Sequence, residues 1–286
     1  MKPGRFRYVV ARDVEHALAV LAEHGDETSI LAGGQSLVPL MSLRLARPEV
    51  VLDINRVADL SEMSVGPDGA RIGALVRAAT VERDEAIAAY VPVLASAIAH
   101  VGHPQIRNRT TIGGNVAHAD PSSELPGVLA CLEGSVTLRS AARGSRAVGW
   151  DEFFESVFVT AKQPDELVTA VRFPMEPGWT YAYDEFAVRH GDFPIAGVCV
   201  GVHATDGIVR RARVSVVGVS DRPVRLTTVE DAARDAAFDA DLASAMGAQA
   251  REACPANDDV HVSAEHRRWL VGTLVSRIVT GMAEAA

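Results

Sequence analysis

Two short glycine segments decide how this chain is organised: Ala32-Gly33-Gly34-Gln35-Ser36-Leu37 and Thr111-Ile112-Gly113-Gly114-Asn115. The first lies between a predicted strand at 29–31 and a predicted helix at 36–45, and the second is predicted to be a loop of the same character. Glycine has no Cβ, so backbone N–H groups in such loops can approach an anion, and the positive end of a following helix adds to the attraction. Two donor loops suit a ligand with two phosphates, so the pair predicts a diphosphate clamp.

Polar side chains beside these segments have two interpretations. Ser36 either caps the helix that follows it or binds a phosphate oxygen. Asp120, Ser123 and Glu124 either contact the ribose and pyrophosphate region of a ligand or cap the apolar helix that begins there. The chain has no G-x-G-x-x-G and no Gly-Lys-Ser/Thr, so neither a Rossmann nor a P-loop nucleotide site is expected.

The segment 1–57 predicts a small α/β unit. Short β-branched runs at 8–10, 29–31 and 50–54 are typical of strands, and Asp13 is placed to cap an amphipathic helix. The segment 58–176 mixes both kinds of element, with strands near 65 and at 70–73, 136–138 and 167–173, and helices at 80–83 and 91–101.

The segment 177–286 begins at a proline–glycine boundary. Alternating runs at 181–188, 195–203 and 208–219 predict strands, and Asp206-Gly207 predicts a hairpin between the last two. Helices are predicted at 231–250 and 263–283. Strands followed by helices favour an α+β domain whose helices cover one sheet face.

Composition excludes several classes of protein. A net charge of −9 argues against a nucleic-acid surface. The three cysteines are widely spaced and predict buried, unpaired thiols, and His100, His103 and His118 lack the spacing of a metal site. The chain shows no signal peptide and no apolar run long enough for a membrane span, so a soluble, cytoplasmic protein is expected. No nucleophile–base–acid set is present, so no catalytic residue is predicted.

The stretches around the two glycine segments resemble a known family. Asp53-Ile54-Asn55-Arg56 follows the first segment, Gly102-His103-Pro104-Gln105-Ile106-Arg107-Asn108 precedes the second, and Arg189-His190-Gly191-Asp192-Phe193 is a softer match further on. Together they resemble the flavoprotein (medium) subunits of molybdenum hydroxylases, a group that includes the FAD domain of xanthine dehydrogenase. The similarity covers the whole chain in order.

The resemblance implies an α+β fold in three parts: a small α/β lobe (1–57), a larger α+β lobe (58–176) and a C-terminal sheet-and-helix domain (177–286). FAD would lie between the two lobes, with its pyrophosphate on both glycine segments and its ring near the C-terminal domain. The cofactor-binding residues predicted are Ala32, Gly33, Gly34, Gln35, Ser36, Leu37, Thr111, Ile112, Gly113, Gly114, Asn115, Asp120, Ser123 and Glu124.

The resemblance also implies partners. A large subunit carrying molybdopterin would oxidise the substrate, and a small subunit carrying two [2Fe–2S] clusters would pass the electrons to FAD, in a dimer of heterotrimers. The flavin would then reduce an external acceptor. Two alternatives stay open at this point: a flavin-dependent oxidase or reductase that works alone, and a scaffold subunit without catalysis.

Three positions depart from the family pattern. Thr110 stands where glycine is common, and Glu124 stands where relatives often have aspartate. Glu185 precedes Phe186 at a place where lysine is frequent. If that lysine normally contacts the flavin ring, its positive charge is missing here, so these positions are expected to affect the flavin potential rather than cofactor binding.

Overall fold

Three main β-sheets follow one another along the chain, and a two-stranded ribbon accompanies the second. The computed structural model describes residues 2–286. The three sheets fall within the segments 1–57, 58–176 and 177–286, although the exact domain boundaries stay predictions. Among the described residues, no helix is both long enough and apolar enough to cross a membrane.

The first sheet is parallel, with strand order β1-β3-β2. Its elements are β1 (Arg7–Val10), α1 (Val14–His24), β2 (Thr28–Leu31), α2 (Leu37–Ser42) and β3 (Val50–Asp53). The predicted cap is confirmed, since Oδ1 of Asp13 accepts a hydrogen bond from the amide of His16 at 2.7 Å. The helix predicted to reach Leu45 ends at Ser42, because Arg44 takes a left-handed conformation with φ 62°.

The second sheet is antiparallel, with strand order β4-β5-β10-β6-β7. Its elements and helices are β4 (Met63–Gly66), β5 (Gly69–Gly73), α3 (Ala78–Arg83), α4 (Glu85–Tyr90), α5 (Pro92–Ile98), α6 (Pro104–Arg107), α7 (Ile112–His118), α8 (Glu124–Cys131), β6 (Ser135–Ser140), β7 (Gly144–Gly149), α9 (Trp150–Phe153), β8 (Phe154–Ser156), β9 (Val159–Thr160) and β10 (Glu166–Pro174). The second glycine segment was predicted to be a loop, and this is wrong: Gly113 and Gly114 lie in the first turn of α7. Oγ1 of Thr111 caps that helix by accepting from the amide of Gly114 at 3.1 Å.

The third sheet is antiparallel, with strand order β11-β12-β13-β14. Its elements are β11 (Trp179–Phe186), β12 (Ala196–Thr205), β13 (Ile208–Val217), β14 (Val224–Arg225), α10 (Thr227–Ala232), α11 (Ala240–Ala253) and α12 (Ala264–Glu284). The predicted hairpin is confirmed: Asp206 and Gly207 both have positive φ, 54° and 71°, as a type I′ turn requires.

The helix predicted at 231–250 is wrong in its first half. Asp235 has φ 62°, and its amide donates to the carbonyl oxygen of Val209 at 2.8 Å, so the chain pairs with β13 here instead of staying helical. A new helix, α11, begins only after Asp239, whose Oδ1 accepts from the amide of Leu242 at 3.0 Å.

The third sheet is covered on both faces. Helices α10, α11 and α12 pack on one face, as predicted. Helix α8 of the second segment packs on the other: Oγ of Ser215 donates to the carbonyl oxygen of Gly127 at 2.7 Å, and Sγ of Cys131 lies 3.4 Å from the carbonyl oxygen of Cys199. All three cysteines are buried and unpaired, as predicted.

Glu185, near the end of β11, pairs with Gly197 of β12, and Gly197 pairs with Val217 of β13. Cγ1 of Val217 would lie 2.8 Å from a Cβ on Gly127 of α8. The end of β11 and the start of α8 therefore lie at one junction.

Candidate functional site

A cavity of about 510 Å³ lies where the three parts of the chain meet. Every residue predicted to bind the cofactor lines it except Ile112, whose side chain is fully buried in the core of the second segment. The volume of the cavity is within the range typical of ligand pockets. The structure therefore brings residues from 32 to 124 together around one cavity.

The first glycine segment presents a row of unused donors. Within the described chain, no group accepts a hydrogen bond from the amides of 33–37. Gly34 has φ 75°, a conformation that glycine adopts without strain, and the whole segment 33–37 lines the cavity. Ser36 makes no capping hydrogen bond, so its hydroxyl is also available. Successive amides in such a concavity suit an anionic oxygen cluster such as a diphosphate.

The amides of the second glycine segment were expected to bind phosphate, but two of them are used inside the protein. The amides of Ile112 and Gly113 donate to the carbonyl oxygens of Val76 and Ala74, both at 3.0 Å. A Cβ on Gly113 would lie 2.5 Å from the Cβ of Ala74, so this glycine is required for close packing. The segment therefore contributes side chains rather than free amides to the cavity.

A hydrogen-bond network behind the cavity holds the two segments together. Nδ2 of Asn55 donates to the carbonyl oxygen of Ala32 at 2.8 Å, and Oδ1 of Asn55 accepts from Nη2 of Arg77 at 2.7 Å. Nη1 of Arg77 donates to the carbonyl oxygen of Arg109 at 2.5 Å. Sequence reasoning included Asn55 in a motif but missed Arg77, which no local pattern distinguishes.

The polar residues after α7 fix one another. Oγ of Ser123 donates to Oδ1 of Asn115 at 2.9 Å and makes no capping hydrogen bond to α8. Oδ1 of Asp120 accepts from the amide of Ser122 at 2.9 Å and so holds the turn. Ser123 therefore does not cap α8. Nδ2 of Asn115 has no hydrogen-bond partner within residues 2–286, so this amide group is available to a ligand.

One end of the cavity is acidic. Glu124, at the start of α8, is only 3% exposed, and burial raises its pKa to about 8, with the nearby charge of Glu185 acting in the same direction. The side chain of Glu185 is 3% exposed and accepts a hydrogen bond from Oη of Tyr183 at 2.8 Å. Nδ1 of His100 lies 3.3 Å from Oε1 of Glu185, and this hydrogen bond raises the pKa of His100.

Several residues that line the cavity were not predicted. Lys162 is its single lysine or arginine among the described residues, and burial lowers its pKa. The sequence held a signal for it, since only Lys2 and Lys162 among the 28 basic residues are lysines. Asp192 and Phe193 reach the cavity from the third part of the chain, within the softer motif.

The histidines were not expected to bind metal. Burial lowers the pKa of His118, which lines the cavity with its ring centroid 4.8 Å from that of Phe158. No group of three or more possible metal ligands occurs among residues 2–286.

Comparison with known proteins agrees with this geometry. The family described as "FAD binding domain in molybdopterin dehydrogenase" matches residues 4–176, and the one described as "CO dehydrogenase flavoprotein C-terminal domain" matches residues 181–282. The chain is 42% identical over 280 residues to the 6-hydroxypseudooxynicotine dehydrogenase complex subunit alpha of Paenarthrobacter nicotinovorans, covering 97% of this chain and 94% of that one. It is 30% identical over 282 residues to the carbon monoxide dehydrogenase medium chain of Hydrogenophaga pseudoflava, covering 97% and 96%.

Solved structures show the same fold. A chain in the crystal structure of quinoline 2-oxidoreductase from Pseudomonas putida 86 superposes with a TM-score of 0.94 at 30% identity, covering 100% of this chain and 99% of that one. A chain of carbon monoxide dehydrogenase from Hydrogenophaga pseudoflava gives 0.93 at 31% identity, with the same coverage. The protein therefore belongs to the family of FAD-binding medium subunits of molybdenum hydroxylases, the flavoprotein components of oxidoreductase complexes.

Proposed function

We propose that the cavity is the FAD site and that the diphosphate of FAD rests on the free amides of 33–37. The observation that carries this assignment is the row of unpartnered backbone donors in a segment that lines a cavity of suitable size. The side chains of Ser36, Asn115 and Lys162 add polar or cationic contacts. Bound FAD supplies one- and two-electron redox chemistry, while this chain binds it, orients it and sets its electrostatic surroundings.

We further propose that the subunit carries electrons between partners. In this scheme, [2Fe–2S] clusters on a small subunit reduce the bound flavin, and the flavin reduces an external acceptor. A cluster normally takes four thiolates, and this chain has three buried cysteines, which fits clusters held elsewhere. Relatives over nearly the whole chain are named for caffeine, glyceraldehyde and carbon monoxide dehydrogenases. Such different substrates support a substrate pocket on a separate, molybdopterin-carrying subunit.

The assembly we propose is a dimer of heterotrimers that works in the cytoplasm. Free, buried thiols suit a reducing compartment. Co-purification with mass spectrometry and a measured mass of the complex test the composition.

An anaerobic reduction experiment tests the electron route. The chain alone, the chain with its small subunit, and the full complex are each mixed with the substrate of the complex, and flavin bleaching is followed. We expect bleaching only in the full complex. Steady turnover of the substrate by this chain alone would overturn the proposal in favour of a flavin enzyme that needs no partners.

A further inference from the structure

Two buried carboxylates meet at the junction of the second and third parts of the chain. Glu124 begins α8 and lines the cavity, and Glu185 lies near the end of β11. Glu124 as a residue and the side chain of Glu185 are both about 3% exposed. Two ionised carboxylates in such a place would each lose hydration and would repel one another, so charge on both is strongly disfavoured.

The partners of Glu185 favour its charged form. Its Oε2 accepts from Oη of Tyr183 at 2.8 Å, and its Oε1 lies 3.3 Å from Nδ1 of His100. The ring of His100 is also packed edge-on against Tyr183, with centroids 5.6 Å apart, so both donors are held in place. Glu185 therefore has a built site for a negative charge.

Glu124 has no comparable support. Its nearest side-chain partner is Oγ of Ser123, at 3.5 Å. That hydroxyl has one proton, which it donates to Oδ1 of Asn115 at 2.9 Å. The backbone amide of Glu124 also donates to its own carboxyl group, so Glu124 is a buried carboxyl group with one backbone donor and no side-chain donor closer than 3.5 Å, on the wall of the cofactor cavity.

No cationic side chain supplies Glu124 with the support that it lacks. The arginines that touch α8 or β14, Arg213 and Arg225, bind Glu133 at the opposite end of the helix. Arg277 of α12 pairs with Asp184 at 2.5 Å. The other titratable groups near the junction are His100, His118, Asp120, His190 and Asp192. No lysine or arginine side chain within residues 2–286 forms a hydrogen bond or an ion pair with Glu124 or Glu185.

We propose that the two buried carboxyl groups of Glu124 and Glu185 carry one proton in total, located on Glu124, so that Glu124 presents a neutral O–H donor to the cofactor while Glu185 carries the negative charge. Tyr183 and His100 act as positioning residues, because they keep the charge on Glu185. The inference rests on the proposed FAD site for its consequence, but the shared proton belongs to the chain itself. The pKa of about 8 that burial produces at Glu124 agrees with the geometry.

A cation at position 185 would remove the reason for the proton. A lysine there would stabilise an ionised carboxylate at Glu124, whereas the carboxylate of Glu185 leaves the total charge at the junction tolerable only if one carboxyl group keeps its proton. The substitution Glu185→Lys should therefore release the proton from Glu124.

Infrared spectroscopy of the apoprotein tests the shared proton directly. The wild type should show the C=O stretching band of a buried protonated carboxylic acid at neutral pH, and the band should disappear with a midpoint near pH 8. Glu124→Gln and Glu185→Lys should both lack the band. Tyr183→Phe should keep it but shift its midpoint, while the exposed control Glu252→Gln should match the wild type. Absence of the band from the wild type, or its persistence in Glu124→Gln, would overturn the proposal.

Flavin titration tests the consequence for the cofactor. FAD affinity of the wild type should fall above pH 8, because ionised Glu124 then faces an anionic ligand. A loss of about tenfold corresponds to ~1.4 kcal/mol of repulsion. Glu124→Gln should lack this pH-dependent step in FAD affinity.

The two tests fail independently. An infrared band without a step in affinity would mean that FAD does not contact Glu124, which contradicts the site and the donor role but leaves the shared proton intact. If FAD affinity still falls above pH 8 in Glu124→Gln, another group causes the fall, and the donor role of Glu124 would be overturned.

Discussion

Asn55 and Arg77 are joined by one hydrogen bond, from Nη2 of the arginine to Oδ1 of the asparagine at 2.7 Å. Through it the backbone of Ala32 is tied to that of Arg109, so the two glycine segments are held at a set separation. Neither side chain lines the cavity. Two residues outside the cavity lining therefore fix the separation of the segments that form the cofactor site.

Asn55→Ala should weaken FAD binding without removing any group that lines the cavity. It leaves Arg77 and the carbonyl oxygen of Ala32 without their partner, at a cost of about 1–3 kcal/mol, which is roughly 5- to 150-fold in Kd if all of it reaches the site. Arg56→Ala, at an exposed neighbour that makes no hydrogen bond in the network, is the matched control. Equal Kd values for both variants in a flavin fluorescence titration would contradict the role of Asn55.

Gly33→Ala should destabilise the protein as well as remove FAD. The structure shows that a Cβ on Gly33 would overlap the carbonyl oxygen of Arg109 and lie 3.0 Å from Cα of Thr110. Overpacking of this kind costs about 1–3 kcal/mol. Gly66→Ala meets nothing within 4 Å and is the control for urea unfolding. If both variants unfold at the wild-type midpoint, the close approach is not required.

The stability of the apoprotein should fall as pH rises from about 4.5 to about 8, in part because of Glu124. Burial raises the pKa of this group in the folded protein to about 8, from 4.5 in its ordinary state. Between these values the folded protein binds a proton that the unfolded chain has lost, so raising the pH favours unfolding. The raised pKa of His100 acts in the same direction above its ordinary value.

The measurement is the free energy of unfolding in urea at several pH values across this window. Glu124→Gln should show a flatter dependence than the wild type, because glutamine does not titrate. A dependence of equal steepness in the two proteins would mean that Glu124 is ionised in the folded state.

Lys162→Met should weaken FAD binding by roughly tenfold, about 1.4 kcal/mol. Lys162 is the one lysine or arginine of the described chain that lines the cavity, and FAD carries two phosphates. Because Nζ also donates to the carbonyl oxygen of Gln163 at 3.0 Å, unfolding must be measured beside binding. Lys2→Met replaces the other lysine, which is exposed, and should leave Kd unchanged. An effect on unfolding with normal Kd would make Lys162 a structural residue only.

Much of the fold followed from local pattern. The α/β start, the cap at Asp13 and the hairpin at Asp206-Gly207 were all predicted, because alternation, capping side chains and turn residues act within a few positions of one another. The predicted helix at 231–250 failed where Asp235 pairs with Val209, since a contact with a distant strand outweighed local helix propensity.

The sequence by itself determined the family and the FAD cofactor, because motif residues keep their order and spacing along the chain, and all but one of the residues it named for the cofactor line the cavity. Only the tertiary structure decided what each does. It leaves the amides of 33–37 free, uses those of Ile112 and Gly113 for packing, and brings Glu185 to Glu124. Hydrogen-bond partners and shared protons depend on neighbours in space, and residues 61 positions apart in the chain give no local sign that they will meet in a buried place.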